Sequence, residues 1–238
     1  MSKERGKTEH IDIFSKITKQ IEILIVKYLK IIVITVSVVV VALALYFSFE
    51  KINSKKLEKS DNAFGKVYLV YKGIISENDD ETEEGEISEK LLELNEDFKI
   101  VINDYPNTKA AMKSAYFIGN SLFNSGKYEE AIEYYKKGYS NKGRKYYISL
   151  LCLINEASSY EQLENYEKAE QTYKKILNDF SDEFITPFTL YNLGQIHEKQ
   201  NKLQNAAEQY STIVSEYDWS SWKRFAEKKL LLIKNFQL

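Results

Sequence analysis

The side chains that most often do covalent or metal chemistry are scarce in this sequence of 238 residues. It contains two histidines, His10 and His197, and a single cysteine, Cys152. A nucleophilic site needs a histidine within hydrogen-bonding reach of a cysteine or serine, and nothing in the spacing places His197 there. One cysteine excludes an intramolecular disulfide and a cysteine-built metal site, and there is no glycine-rich phosphate loop. We therefore expect no catalytic residue, no cofactor and no enzyme.

The acidic run ENDDETEEGE, residues 77–86, is the other segment whose residue types could bind an ion. An EF-hand calcium loop needs alternating acidic ligands, a glycine at position six and a glutamate at position twelve. Counted from Asp79, those positions hold Glu84 and Lys90. The calcium pattern therefore fails, and we expect a solvated loop without a metal site.

The composition indicates which elements would have to position any site. Proline (2) and glycine (9) are scarce while tyrosine (18) is abundant, which favours a helical chain over a β-sandwich. Charged residues make up 29% and apolar residues 44% of the chain, a balance typical of a folded protein. The net charge of −2 provides no basic excess to neutralise phosphates, so we expect no nucleic-acid partner.

Residues 31–49, IIVITVSVVVVALALYFSF, carry no charge. As a helix they would extend about 28 Å, close to the hydrocarbon thickness of a bilayer, and we predict an uncleaved transmembrane helix. A cleaved signal peptide is the alternative, with Ala42-Leu43-Ala44 as its small-x-small site. Bulky residues follow that site and about 30 residues precede the apolar stretch, so the anchor is the favoured interpretation.

The segment before the anchor is basic and amphipathic. Residues 1–30 hold seven Lys/Arg and four Asp/Glu, a charge of +3, whereas the remainder carries −5. This asymmetry predicts a cytoplasmic head and an extracytoplasmic body in a single-pass protein of the inner (cytoplasmic) membrane. Apolar residues recur at helical spacing through residues 11–28, which predicts a helix on the membrane surface. A self-association face, giving a homo-oligomer, or a dock for another membrane protein is the alternative use of this head.

A pairing of small and aromatic residues recurs after the anchor. In SGKYEEAIEYYKKGYSN, residues 125–141, Ala131 shares a helix face with Tyr128 and Tyr135, because residues three and four apart are neighbours on a helix. A small residue between two rings leaves a notch where another helix can approach closely. The pattern returns at spacings of 38 and 37 residues, at Ala169 with Tyr173 and at Ala206 with Tyr210.

Each copy has a second small residue twelve positions earlier. The repeat-defining pairs are Gly119 with Ala131, Ala157 with Ala169, and Gly194 with Ala206. We expect the small residue of each first helix to face the small residue of the second. The aromatic rings would then fill the space to the next unit.

The predicted organisation has seven parts. They are a head (1–30), a transmembrane helix (31–49), a linker and split first unit with the acidic insertion at 77–86 (50–111), three repeats (112–149, 150–186 and 187–220) and a capping helix (221–238). The split unit is predicted from Phe64, Val67 and Tyr71, followed by Leu94, Phe98, Val101 and Pro106. The cap is predicted from Trp222, Phe225, Ala226, Leu230 and Ile233.

Over about residues 57–235 the sequence resembles the tetratricopeptide-repeat family, whose pattern has small residues at positions 8 and 20 of a 34-residue unit. The resemblance implies an all-α fold. It would be a single transmembrane helix followed by a tetratricopeptide (TPR) α-solenoid of antiparallel helix pairs with a C-terminal capping helix. Each unit cannot bury its apolar face alone, so the units must stack and the stack must be capped.

The resemblance also implies where a partner would bind. In this family the first helices line a concave groove, at positions 2, 5, 9 and 12 of each unit. Carried onto this sequence, the predicted groove residues are Lys113, Tyr116, Asn120, Phe123, Leu151, Ile154, Ser158, Glu161, Phe188, Tyr191, Gln195 and Glu198. One lysine among several aromatic residues favours an apolar or extended peptide partner.

A basic head, one span and an outer repeat domain together resemble the layout of the ancillary SecYEG translocon subunit (YfgM) family. That layout implies a membrane scaffold that assists translocation or folding, with translocon subunits, envelope chaperones or translocating chains as partners. The alternative is a scaffold for envelope assembly or cell division, because NDYPNTKAA, residues 103–111, is similar to helix ends in repeat proteins of those systems.

Overall fold

The computed structural model describes residues 2–76, 84–139, 146–180 and 184–236. Within these ranges the chain forms nine α-helices and no strand, so the expected all-α fold is confirmed. The helices are α1 (Ser2–Ser76), α2 (Glu84–Asp104), α3 (Lys109–Asn124), α4 (Tyr128–Gly138), α5 (Tyr147–Gln162), α6 (Tyr166–Asp179), α7 (Ile185–Lys199), α8 (Leu203–Glu216) and α9 (Trp222–Phe236). The first seven residues of the acidic run, 77–83, lie outside the described residues.

The chain divides into two compact units, Met1–Lys56 and Leu57–Leu238. In the first unit α1 runs unbroken through the predicted head and span, and its residues 15–56 are all exposed. Among the described residues, α1 is the one helix long and apolar enough to cross a membrane on the grounds of length and composition.

Two hydroxyl groups in the apolar part of α1 are satisfied by its own backbone. Thr35 Oγ1 donates to the carbonyl oxygens of Ile31 and Ile32 at 3.0 and 2.9 Å, and Ser37 Oγ donates to that of Val33 at 2.7 Å. In hydrocarbon no water would serve these groups, so bonding within the segment lowers their cost of burial.

The second unit is a stack of helix pairs in chain order. The pairs are α3 with α4, α5 with α6, and α7 with α8. Each pair contacts the next through α4 with α5 and α6 with α7, while α2 packs on α3 and α9 packs on α8. The expected solenoid is therefore confirmed, and each first helix is covered on one side by the second helix of the preceding pair.

The turns inside the three pairs share one backbone geometry. Each contains a residue with a left-handed φ at the same place in the repeat, namely Gly126 (φ 75°), Glu164 (φ 54°) and Asn201 (φ 58°). The next N–H donates to a carbonyl five residues back: Lys127 to Leu122 at 2.9 Å, Asn165 to Tyr160 at 2.9 Å, and Lys202 to His197 at 2.8 Å. These bonds are those of a Schellman helix end, which satisfies the last carbonyls of a helix while reversing the chain.

The capping helix α9 closes the stack as expected. Ala226 and Ile233 are buried in a cluster with Leu190, Ala206, Tyr210 and Ile213, and Trp222 and Leu230 pack against it. Ala226 is completely buried, so α9 approaches α8 closely. Phe225, which the pattern places in the cap's apolar face, is instead 44% exposed.

The split region at the other end joins the core of the first full pair. Phe64, Leu94, Phe98 and Val101 are buried in one cluster with Ile118, Leu122 and Tyr135, and Val67 and Tyr71 pack against it. Tyr68 stands where a small residue is expected, and its ring stacks on Phe64 at 5.6 Å between centroids. Aromatic packing therefore takes the place of a small-residue notch in this region.

Candidate functional site: the face of the first helices

The predicted groove residues lie on α3, α5 and α7, and all twelve are half-buried. We call these twelve side chains the groove residues. Positions 2, 5, 9 and 12 of each repeat fall on one face of the first helix, because the spacing between them alternates between three and four residues. Fully buried core residues such as Ile118, Leu153 and Leu193 occupy the other face of the same helices. The groove residues are thus anchored by neighbours while keeping part of their surface open.

The aromatic groove residues at the C-terminal end form one cluster with α9. Phe188 and Tyr191 meet the Trp222 ring at centroid distances of 5.4 and 5.0 Å, and Tyr191 meets Phe225 at 6.2 Å. Helix α9 therefore continues the line of first helices and adds Trp222 and Phe225 to the face. The sequence predicted Trp222 and Phe225 as residues of the capping helix. The structure shows that they also contact the groove residues Phe188 and Tyr191.

The groove residues of the first full repeat contact neighbouring elements in a similar way. Tyr116 lies edge-on to Phe117 at 5.6 Å, and Phe123 lies edge-on to Tyr128 at 5.2 Å. The ammonium group of Lys113 lies 5.2 Å from the centroid of the Phe64 ring. These contacts restrict the rotamers of the aromatic side chains, so less entropy would be lost when a partner orders them.

Polar groove residues are held by hydrogen bonds within and between repeats. Tyr173 donates to Glu161 Oε1 at 2.8 Å, and Lys199 of the next pair donates to Glu161 Oε2 at 3.2 Å. Asn120 Oδ1 accepts in the same manner from Tyr135 at 2.9 Å and from Asn155 at 2.8 Å. One acceptor therefore joins the second helix of its own pair to the first helix of the next pair.

Glu198 makes the second of these two contacts at the end of the stack, where Lys229 of α9 donates to its Oε2 at 2.5 Å. Sequence reasoning missed Asn155, Lys199 and Lys229, because each reaches its acceptor from another repeat. No local spacing encodes those contacts. The one signal in the sequence for these contacts was position 12 of the repeat, which holds a glutamate in two successive repeats.

The buried tyrosines beneath the groove residues stay protonated over a wide pH range. Burial is the largest cause that raises the pKa of Tyr135, Tyr173 and Tyr210. The charges of Glu161 and Glu198 raise the pKa of Tyr173 and Tyr210 further. All three side chains are almost completely inaccessible to solvent and act as packing groups, and the hydroxyls of Tyr135 and Tyr173 also donate the hydrogen bonds given above.

The repeat-defining residues are buried, but their contacts differ from those expected. A methyl group added at Gly119 would lie 2.5 Å from the Tyr135 ring, and one at Gly194 would lie 2.6 Å from the Tyr210 ring. Each glycine therefore makes room for the tyrosine of the second helix, whereas we expected it to face the alanine. The alanines Ala131, Ala157, Ala169 and Ala206 are completely buried.

His197 and Cys152, whose side chains the structure describes, are both buried. His197 is 3% exposed, and its Nε2 lies 3.5 Å from Glu170 Oε1. Cys152 is also buried, and burial, followed by the charge of Glu156, raises the pKa of its thiol to about 12, so it carries no thiolate near neutral pH. Within the described ranges, no three His, Cys, Asp or Glu side chains are grouped so that they could hold a metal ion.

The stacked pairs match known repeat models. A tetratricopeptide-repeat model matches residues 113–144 and 152–178, and a second tetratricopeptide-repeat model matches residues 188–218. None of the curated proteins matches the sequence.

A crystal structure of a tetratricopeptide repeat protein from Parabacteroides merdae ATCC 43184 has a similar fold, with a TM-score of 0.55 and 18% sequence identity. The likeness covers 73% of this chain and 61% of that protein. The repeat models and this shared fold agree with the helix pairs, the Schellman turns and the small-residue notches. Residues 113–144, 152–178 and 188–218 of this chain are therefore similar to tetratricopeptide repeats in sequence, and the stack that they form is similar to that family in fold.

Proposed function

We propose that this protein is a membrane-anchored scaffold that binds protein partners through its groove residues. Tetratricopeptide repeats, which match three segments of this chain, are typically protein-interaction scaffolds. The observation that carries the proposal is the half-burial of all twelve groove residues on α3, α5 and α7. Side chains that are held by neighbours but still open to solvent are suited to binding with little loss of entropy.

The chemistry of the groove residues supports an extended, partly apolar segment as the ligand. Tyr116, Phe123 and Lys113 lie at one end, Leu151 and Ile154 in the middle, and Phe188 and Tyr191 with Trp222 at the other. Aromatic anchors contribute most of the binding energy in protein interfaces. The glutamates at positions 161 and 198 already accept from tyrosine or lysine, so they shape the groove more than they attract a basic ligand.

The anchor is proposed from α1. Its residues 31–49 carry no charge and are exposed along their whole length, and the hydroxyl groups of Thr35 and Ser37 bond to backbone carbonyls of the same helix. With the basic head in the cytoplasm, the repeats would lie outside the inner membrane. A reporter enzyme fused after Leu238, in one version active only outside the membrane and in another active only inside, tests this orientation.

Photocrosslinking tests the groove directly. A photoreactive amino acid placed at Tyr116 or at Tyr191 in cells is expected to trap a partner, whereas the same probe at Glu133 of α4 or Glu208 of α8, both exposed, is the matched control. Adducts at the first two positions but not at the controls support the proposal. Equal trapping at all four positions, or trapping only at the controls, would contradict it.

The identity of the trapped proteins tests the finer hypothesis that the scaffold assists translocation. Translocon subunits, envelope chaperones or translocating chains in the adducts would support it. Envelope-assembly or cell-division proteins would support the alternative scaffold. Co-purification from solubilised membranes, with Tyr191→Ala as the groove variant, provides an independent measurement of the same partners.

A further inference from the structure

A cavity of about 340 Å³ lies away from the groove residues, between the second helices α4 and α6. Its walls belong to α4 and α6 and its floor to α5. The lining residues are Lys136, Glu156, Tyr160, Lys168, Gln171, Thr172 and Lys175. We call this cavity the lysine furrow.

The rim of the lysine furrow is exposed and cationic. The three lysines Lys136, Lys168 and Lys175 are all exposed. The first two lie over one ring, with ammonium nitrogens 5.6 and 5.5 Å from the centroid of Tyr160, and the third lies 3.9 Å from the centroid of Tyr139. Rings placed in this way fix the ammonium groups along the furrow without neutralising them.

The floor of the furrow is buried and polar. Glu156 and Tyr160 of α5 are each 7% exposed, and Thr172 on the α6 wall beside them is equally buried. The nearest cation to the Glu156 carboxylate is Lys136, whose Nζ is 3.8 Å from Oε1, beyond hydrogen-bond distance. The same Nζ donates to the Tyr160 hydroxyl at 2.9 Å. Lys136 therefore bonds directly to the phenol and forms a longer ion pair with Glu156.

The balance of charge in the furrow is opposite to that of the chain. Three lysines face one buried carboxylate, a local charge of +2 on a protein of net charge −2. The hydrogen bond to Tyr160 raises the pKa of Lys136, so it stays charged, and burial raises the pKa of Glu156, so its charge is the first to be lost as the pH falls. Both effects favour an anionic ligand.

We propose that the lysine furrow is a second binding site, which takes an acidic protein segment with several carboxylates on neighbouring turns. The cations lie on two helices and over two different rings, so they are spread along the furrow and do not converge on one point. Such spacing suits several carboxylates better than a single oxyanion. The proposal is independent of the groove, since it uses α4 and α6 and none of the groove residues.

Fluorescence anisotropy of the full chain in an uncharged detergent tests the site. The probe is a labelled ten-residue peptide of alternating glutamate and serine, and its glutamine counterpart is the neutral control. The glutamate peptide is expected to bind, and to bind more weakly as salt screens the lysines. The variant Lys168→Glu should weaken binding about fivefold, the effect of about 1 kcal/mol that reversing one exposed charge typically has. Glutamate in the first turn of α6 is favourable for the helix, so this variant should fold.

The matched control is Lys137→Glu, which changes an exposed lysine of α4 that does not line the furrow. It should leave the affinity within twofold of the unsubstituted chain. Equal losses in Lys137→Glu and Lys168→Glu would overturn the site, because they would show attraction to net charge alone. Binding of the glutamine peptide with the same affinity would overturn it as well.

Glu156→Gln gives the sharpest test, because it removes the one negative charge of the furrow and keeps the shape of the side chain. The acidic peptide should then bind about two- to fivefold more tightly, through loss of a like charge near the ligand. Weaker binding would overturn the proposal, since it would show that the floor carboxylate contacts a cationic group of the ligand. Displacement of the peptide by inorganic phosphate at constant ionic strength would overturn the assignment to an acidic segment in favour of a single oxyanion.

Discussion

The hydroxyl group of Tyr173 donates a hydrogen bond to Oε1 of Glu161 at 2.8 Å, and this contact joins the two helices of the central pair. The second carboxylate oxygen accepts from Lys199 of the following pair at 3.2 Å. Glu161 thus links three helices through one side chain that is only 18% exposed. Stability inside a repeat and coupling between repeats therefore depend on the same carboxylate.

Removing the tyrosine hydroxyl should weaken this link measurably. We expect Tyr173→Phe to lower the free energy of unfolding by about 1 kcal/mol, the usual net contribution of such a bond. Glu161→Ala should cost more, about 2–3 kcal/mol, because it leaves a buried donor without its acceptor. Urea denaturation of the two single variants and the double variant measures the coupling, expected at about 0.5–1.5 kcal/mol.

The control for this cycle is Tyr134→Phe, which removes a hydroxyl from a half-buried tyrosine of α4. It should change stability by less than about 0.5 kcal/mol. Strict additivity of Tyr173→Phe and Glu161→Ala would show that the observed hydrogen bond contributes nothing to the fold.

The notch at Gly119 should not tolerate a methyl group. Gly119→Ala places Cβ 2.5 Å from the Tyr135 ring, and because that ring is completely buried it has little room to move. We expect a loss of about 1–3 kcal/mol through overpacking. Thermal unfolding followed by circular dichroism measures it.

Gly65 provides a matched comparison. It lies in the part of α1 that belongs to the second unit. Nothing lies within 4 Å of a methyl group added there. Gly65→Ala should therefore raise stability by about 0.5–1 kcal/mol, the intrinsic helix preference of alanine over glycine. Equal effects of the two substitutions would contradict the close approach of Tyr135 to α3.

Replacing Glu164 by glycine in the turn between α5 and α6 should stabilise the fold. Glu164 has a φ of 54°, whereas Gly126 occupies the matching position of the preceding repeat with a φ of 75°. A left-handed conformation is unfavourable for a residue with a Cβ, so Glu164→Gly should stabilise by about 0.5–1 kcal/mol. Glu133→Gly, at an exposed position inside a helix, should instead destabilise the fold by about 1 kcal/mol. The midpoints of urea denaturation of the two variants measure these opposite effects.

High pH should destabilise the repeats through their buried tyrosines. Burial raises the pKa of Tyr135, Tyr173 and Tyr210 above the value of about 10 for an unfolded chain. Below that value both states are protonated and the stability is fully present. Above it the unfolded state releases protons that the folded state retains, so stability falls as the pH rises.

Each buried tyrosine should contribute about 1.4 kcal/mol per pH unit to this loss. Urea midpoints measured between pH 9 and pH 11.5 are expected to show the decline. In Tyr210→Phe the free energy of unfolding should fall less steeply with pH, because one fewer tyrosine releases its proton on unfolding. Tyr147→Phe, at a tyrosine that is 73% exposed, should leave the slope unchanged. A slope that is identical in all variants would show that these tyrosines ionise freely in the folded state.

The repeat pattern was predictable because it is written in local spacing. Small residues twelve positions apart, followed by a tyrosine four positions on, recur with a nearly constant period from Gly119 to Tyr210. Helix formation and the buried face of each helix depend on neighbours three and four positions away, and those are visible in the chain itself. The same holds for the charge-free stretch at 31–49, whose length and composition make it a candidate membrane span.

The contacts between repeats were not predictable, since they join residues that are distant in the sequence. Lys199 reaches Glu161 across 38 positions, and Asn155 reaches Asn120 across 35. The register of one pair against the next decides which side chains meet, and that register comes from the packing of whole helices.

By itself, then, the sequence determined an all-α chain with a long apolar stretch, three repeats and a cap, and it predicted which residues would face a partner. The tertiary structure decided that the notches at Gly119 and Gly194 each receive a tyrosine ring, that α9 adds Trp222 and Phe225 to the aromatic face, and that three lysines line one furrow with Glu156. The physical reason is the range of the interactions. Periodicity specifies which face of a helix is apolar, but the position of its neighbour is set by the shapes of all the side chains between them.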